Sequence, residues 1–138
     1  MKVMVDLNVL LDVLQRREPH YRDSASVLGR VAEGSLQAVI PAHAVTTIHY
    51  VVRRADDAEA ANQALDWILS RFEVIPQRRS TFLRARGLDI RDFEDAVVAS
   101  TAEQSRCSRI VTRNIDDFRE SPVAAITPRE LEAELWPT

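Results

Sequence analysis

Asp6 stands directly behind the apolar run Lys2-Val3-Met4-Val5 and opens the stretch Asp6-Leu7-Asn8-Val9-Leu10-Leu11-Asp12. A β-branched run that ends on a carboxylate and passes into a helical pattern reads as strand, turn, helix. In an open α/β sheet, ligands bind in the crevice at the carboxyl ends of the strands. Asp6 is therefore a candidate metal ligand or nucleophile, and equally a candidate cap for the helix behind it. Two more acidic places occupy matching points. Asp92-Phe93-Glu94-Asp95 opens an alanine-rich helical stretch, and Asn114-Ile115-Asp116-Asp117-Phe118 follows the run from Arg109 to Thr112.

A hard cation such as Mg²⁺ takes oxygen ligands and keeps several waters, so carboxylates from separate segments make its usual site. Crowded carboxylates repel one another and gain protons unless a cation offsets the charge. Such a site polarises a phosphate, activates water and stabilises the leaving oxygen of phosphodiester hydrolysis. Asp92 and Asp95, spaced i and i+3, point from one helix face. Glu94, about 100° round the helix from Asp95, is expected to face solvent or an arginine. Taken singly, each acid also reads as an N-cap, a first-turn charge or part of a solvated turn. All three in matching topological positions favour a metal site.

The elements that must position these acids alternate along the chain. Strands are predicted at about residues 2–6, 36–40, 72–75, 109–112 and 123–126. Helices are predicted at about 9–17, 20–32, from Pro41 onward, from Asp56 onward, 80–86 and 92–104. Asp56 and Glu59 read as a capping box, as do Thr127 and Glu130, with Pro128 at the first position of a short terminal helix. Gly34 and Gly87 end the helices before them. Strands alternating with helices imply crossover connections, a mostly parallel sheet and helices on both faces.

At 138 residues the chain is expected to form one domain, 1–138, with a core large enough to need no staples. Its single cysteine, Cys107, excludes an internal disulfide and suits a reducing cytoplasm. No targeting segment is visible, and no run reaches the ~20 apolar residues that span a bilayer. A cytoplasmic protein without membrane contact is the expectation. The net charge of −3 provides no global field for nucleic acid. A basic groove can still coexist with an acidic total, and Lys2 is the only lysine beside seventeen arginines, the side chain suited to bidentate phosphate contact.

These residues resemble the PIN-domain family of metal-dependent ribonucleases, which includes the toxin halves of VapBC-type toxin–antitoxin pairs. The matching pieces are Val5 to Asp12, Asp92-Phe93-Glu94-Asp95-Ala96, and Ile110 to Asn114 with Asp116-Asp117-Phe118. Their order and separation agree with the family along essentially the whole chain. The resemblance implies a Rossmann-like α/β/α sandwich, a Mg²⁺ or Mn²⁺ site, endonucleolytic cleavage of RNA, a cognate antitoxin and a homodimer. It makes Asp6 the first metal-ligating acid and Asp95 the helix acid, with Asp92 one turn before it. The last acidic position falls within residues 114–117, Asp116 and Asp117 carrying charge and Asn114 acting as a polar ligand or water holder. Asp6, Asp95, Asp116 and Asp117 are then the catalytic set, and Arg113 and Arg91 are the arginines nearest for flanking phosphates.

One departure stands out. The family usually carries a glutamate in the helix after the second strand, where this chain has Thr47, and it resembles a subgroup lacking that acid. Threonine can bind a metal-bound water but brings no charge. An alternative is thus a catalytically weak or inactive binding module of the same fold. His43 and His49 stay outside the metal shell, since Mg²⁺ prefers oxygen, with His49 a candidate RNA contact. Trp67 to Leu69 offer a dimer surface or, equally, core. A phosphoryl-accepting aspartate domain also places Asp after strand 1, but that resemblance implies a late lysine, and none follows Lys2.

Overall fold

A computed structural model describes residues 1–138. The central strand β1 (Lys2–Val5) carries Val3, Met4 and Val5, all fully buried. A strand covered on both faces needs this continuous apolar run. Strands β2 (Gln37–Pro41), β3 (Glu73–Ile75), β4 (Arg109–Val111) and β5 (Ala125–Ile126) join it in the order β3-β2-β1-β4-β5, every pair parallel. Register sets Val3 against Ala38 on one side and Met4 against Ile110 on the other.

Alternation along β1 separates two cores. Val3 and Val5 face α1 (Leu7–Leu14), α2 (Tyr21–Ala32), α3 (Ala42–Ala55), α4 (Ala58–Arg71) and α7 (Pro128–Leu135), in a cluster holding Val9, Leu10, Ile48, Ile68 and Leu131. Met4 faces the other way, with Val39 and Ile110, onto α6 (Phe93–Gln104), beside which α5 (Arg79–Arg86) packs. The result is a three-layer α/β/α sandwich, as expected from the alternation of elements. Each fully buried Ile or Leu contributes about 1.5–3 kcal/mol.

Helix α6 is buried without a break from Ala96 to Ala102. Its small side chains let it approach the sheet closely, and its hydroxyls are satisfied locally: Ser100 donates to Thr81 O and Thr101 to Val97 O. Gly34 ends α2 at φ +81°, a conformation that a side chain makes strained.

Boundaries differ from expectation in three places. Helix α1 begins at Leu7 because Asp6 itself accepts from Leu7 N, so the cap lies earlier than the apolar periodicity suggests. Helix α4 is capped by Asp57, which accepts from Ala60 N. The expected Asp56–Glu59 capping box does not form, because Asp56 instead ends α3 through its own N–H to Val52 O. Residues Ile115–Phe118, expected as part of a turn, wind into one 3₁₀ turn that tucks Phe118 into the core. Ile68 is fully buried and Trp67 packs on Phe72, leaving Leu69 as the outward residue of that trio. No helix is long and apolar enough to cross a membrane.

Candidate active site

Strand order reverses at β1: β2 and β3 extend the sheet one way, β4 and β5 the other. The crevice of a doubly wound sheet opens at that switch point, beyond the strand C-termini. Asp6 leaves β1 there and Thr112 leaves β4 beside it. The Asp6 N–H continues the ladder to Val111 O at 2.9 Å, fixing the backbone. Its side chain is fixed as well. Oδ1 accepts from Leu7 N at 2.8 Å and Oδ2 from the Thr112 hydroxyl at 2.9 Å.

Thr112, fully buried, is a hub whose role the sequence does not display. Its Oγ1 also accepts from Asn114 N and, at 3.4 Å, from the Asn8 amide. Asn8 Oδ1 is left buried without a partner beside this network. The one available signal was a hydroxyl residue directly behind an apolar strand.

Asp92 caps α6, its Oδ1 accepting from Asp95 N at 3.0 Å. Capping and ligation are not exclusive, since each carboxylate oxygen has a second lone pair. Asp95 sits in the first turn of α6, half-buried, with no hydrogen bond from any side chain. Burial first, then the charges of Asp6, Asp92, Asp117 and Glu94, push its carboxyl up to about 7. Asp6 is pushed up to about 6, chiefly by burial and against the Thr112 and Leu7 hydrogen bonds, with Glu94 adding to the rise and Arg113 opposing it.

A cleft of about 850 Å³ opens over this rim, lined by Asp92, Asp95, Asp116 and Asp117 with Arg91 and Arg119. Of the late acids, Asp117 is the one whose charge acts on Asp95. Asp116 projects into solvent and accepts from Arg119 at 2.7 Å. Asn114 is exposed, outside the cleft lining, and caps the 3₁₀ turn. Arg91 lines the cleft, whereas Arg113 is held by the buried Asp12 and opens on a separate small cavity with His20 and Arg129.

Glu94 is exposed, as expected, yet its charge still reaches the site. It lies within electrostatic reach of Asp6, Asp95 and His43. Thr47 Oγ1 donates to His43 O at 3.1 Å, so its hydroxyl serves the helix. His49 approaches Asn62 on the exposed face of α3.

The acids share one rim without closing on one point, contrary to the convergence expected of them. No three His, Cys, Asp or Glu side chains stand close enough together to hold an ion as they are. Like charges keep apart. The donor set itself fits a hard divalent cation: it is all oxygen, and Asp95 has four acidic neighbours.

Comparison with known proteins agrees with this fold. The curated ribonuclease VapC1 of Aquifex aeolicus is 22% identical over 142 residues, covering 99% of this chain and 96% of its own. A chain from the VapBC2 structure of Rickettsia felis, solved bound to promoter DNA, superposes with a TM-score of 0.71 at 20% identity, over 92% of this chain and 98% of that one. VapC20 of Mycobacterium tuberculosis, a toxin that cleaves the sarcin-ricin loop, gives 0.64 at 13% identity, over 78% and 86%. The family model described as the PIN domain matches residues 2–116, and the chain belongs to that family.

Proposed function

We propose that this protein is a metal-dependent endoribonuclease, the toxin of a VapBC-type pair, with Mg²⁺ or Mn²⁺ as its cofactor. The observation that carries the reading is Asp95: a half-buried carboxyl raised to about 7 by burial and by its acidic neighbours, lining a cleft with Asp92, Asp116 and Asp117. A site built this way is relieved by a cation. Asp6, Asp95 and Asp117 would hold it, with Asp92 beside them. When bound, the ion supplies charge neutralisation of a phosphate and a lower pKa for an attacking water.

The chain's own groups do the positioning. Thr112 and Leu7 hold the Asp6 carboxylate in one orientation, and Asp92 fixes the first turn that carries Asp95. Arg91, in the same cleft, pairs with a flanking phosphate. Asp116 and Asn114 remain candidates at the outer edge, acting on water rather than as central ligands.

An antitoxin partner is supported by the VapBC complexes among the structural relatives, including a toxin–antitoxin complex from Klebsiella pneumoniae (22% identity, TM-score 0.69, 93% and 98% coverage). A homodimer in the cytoplasm completes the reading, with light scattering as its check.

The test is cleavage of a mixed RNA substrate by purified protein with Mg²⁺ or Mn²⁺, with chelator, and by Asp6→Asn. Metal-dependent cleavage lost in the variant supports the enzyme. A second reading, a PIN-fold binding module, has the engaged hydroxyl of Thr47 in its favour. Wild type and Asp6→Asn being equally inactive on RNA that both still bind would establish it.

A further inference from the structure

A second constrained polar group at this rim, besides Thr112, is His43, at the start of α3. Gln77 grips it twice. Gln77 Oε1 accepts from His43 N at 3.1 Å, and Nε2 lies 2.9 Å from His43 Nδ1 and 3.1 Å from Thr101 Oγ1. A backbone N–H can only donate, so the amide cannot be the other way round. Its nitrogen can likewise only donate, so Nδ1 is bare and the ring proton sits on Nε2. Burial lowers the pKa of the ring, outweighing the opposing influence of Glu94 and Gln77.

His43 Nε2–H is buried and has no partner. An unpaired buried donor is a penalty that a native structure rarely leaves unanswered. The nearby hydroxyls do not take it: Thr46 and Thr47 both donate to His43 O. Glu94 is the one charged group acting on the ring, and it is exposed and makes no hydrogen bond of its own through its carboxylate. Helix α3 leaves the C-terminal end of β2, and α6 packs on β1, β2 and β4, so both helices begin at the C-terminal edge of the sheet.

We propose that His43 is a positioning residue, its Nε2–H taking the Glu94 carboxylate and holding it over the rim beside Asp6 and Asp95. The inference rests on the nuclease reading for its purpose, though not for the contact itself. Glu94 so held adds a further negative charge to the cation site, from an unforeseen residue. Gln77 is part of the same device, because it decides which ring nitrogen carries the proton.

The experiment uses the full chain as wild type, His43→Phe, His43→Gln, Glu94→Ala and the double variant His43→Phe/Glu94→Ala, each checked for fold by circular dichroism. Calorimetric titration with Mn²⁺ should show about tenfold weaker binding in His43→Phe and in Glu94→Ala, the size usual for a residue acting through a ligand. The double variant should bind no more weakly than either single one, because both changes remove one unit. His43→Gln, whose amide can place an N–H near the Nε2 position, should retain most of the affinity. Long-range ¹H–¹⁵N spectra should show the ring as the Nε2–H tautomer, with its ring resonances shifted in Glu94→Ala. Unchanged Mn²⁺ affinity in His43→Phe, effects that multiply in the double variant, or an Nδ1–H ring would each overturn the proposal. Wild type that binds no Mn²⁺ would remove the nuclease reading, while the ring spectra alone still decide the contact.

Discussion

Arg113 closes on Asp12: its Nε lies 3.0 Å from Oδ2 of a carboxylate with no exposed surface, and Ser24 Oγ donates to the same oxygen at 3.3 Å. The pair ties the segment after β4 to α1, across most of the length of the chain. Removing one partner of a buried ion pair strands the other charge. Arg113→Ala is therefore expected to destabilise the fold by about 3–5 kcal/mol, read from urea denaturation midpoints. A loss below about 1 kcal/mol, the range of surface pairs, would mean that water reaches Asp12.

Asp116 and Asp117, adjacent in sequence, should separate in function. Asp117 adds its charge to the cluster around Asp95, whereas Asp116 points to solvent and binds Arg119. Asp117→Asn should weaken Mn²⁺ binding and RNA cleavage at least tenfold, and Asp116→Asn should change either by less than about twofold. Equal losses in the two variants would place both at the ion.

The positions of Asp6 and Asp95 were legible because each depends on local rules: an acid at the end of an apolar strand, an acid in the first turn of a helix. Glu94 was not, because its neighbours are set by how α6 crosses the sheet, which no helical wheel contains. Arg113 misled for a related reason. Nearness in sequence to the rim suggested a phosphate contact, yet a buried acid one layer away captures it. Asp12 did carry a signal, lying in an unbroken buried run from Val9 on the short α1. The five strands were readable from their apolar runs, while the 3₁₀ turn at Ile115–Phe118 is imposed by Phe118 reaching the core.

Stability of the metal-free protein should depend on pH in a direction fixed by the raised acids. Asp6 at about 6 and Asp95 at about 7 bind a proton more tightly folded than unfolded, where the value is 3.8. Their contribution is complete below that value and is lost as pH rises through 6 and 7. The apparent Tm should therefore be lower at pH 8 than at pH 5, with a shallower fall in Asp95→Asn. Mn²⁺ should raise Tm most at the alkaline end, where its ligands are already ionised. A Tm that rises steadily from pH 5 to pH 8 without metal would contradict the assignment of both acids.

Thr47 offers a negative control. Its hydroxyl donates to His43 O within α3. Thr47→Val should leave Mn²⁺ affinity and cleavage within about twofold of wild type, since nothing it donates to the cleft is lost. A large fall, measured on protein of unchanged Tm, would return the hydroxyl to the site.

The central strand of this sheet is synthesised well before β4, with Val3 finally lying opposite Arg109. At cellular elongation rates the interval is on the order of ten seconds. Throughout it, Asp6 lacks its Thr112 anchor and Asp117 does not yet exist. For the nuclease proposed above, topology thus delays activity: the acidic rim is assembled only once β4 and the turn behind it have been made.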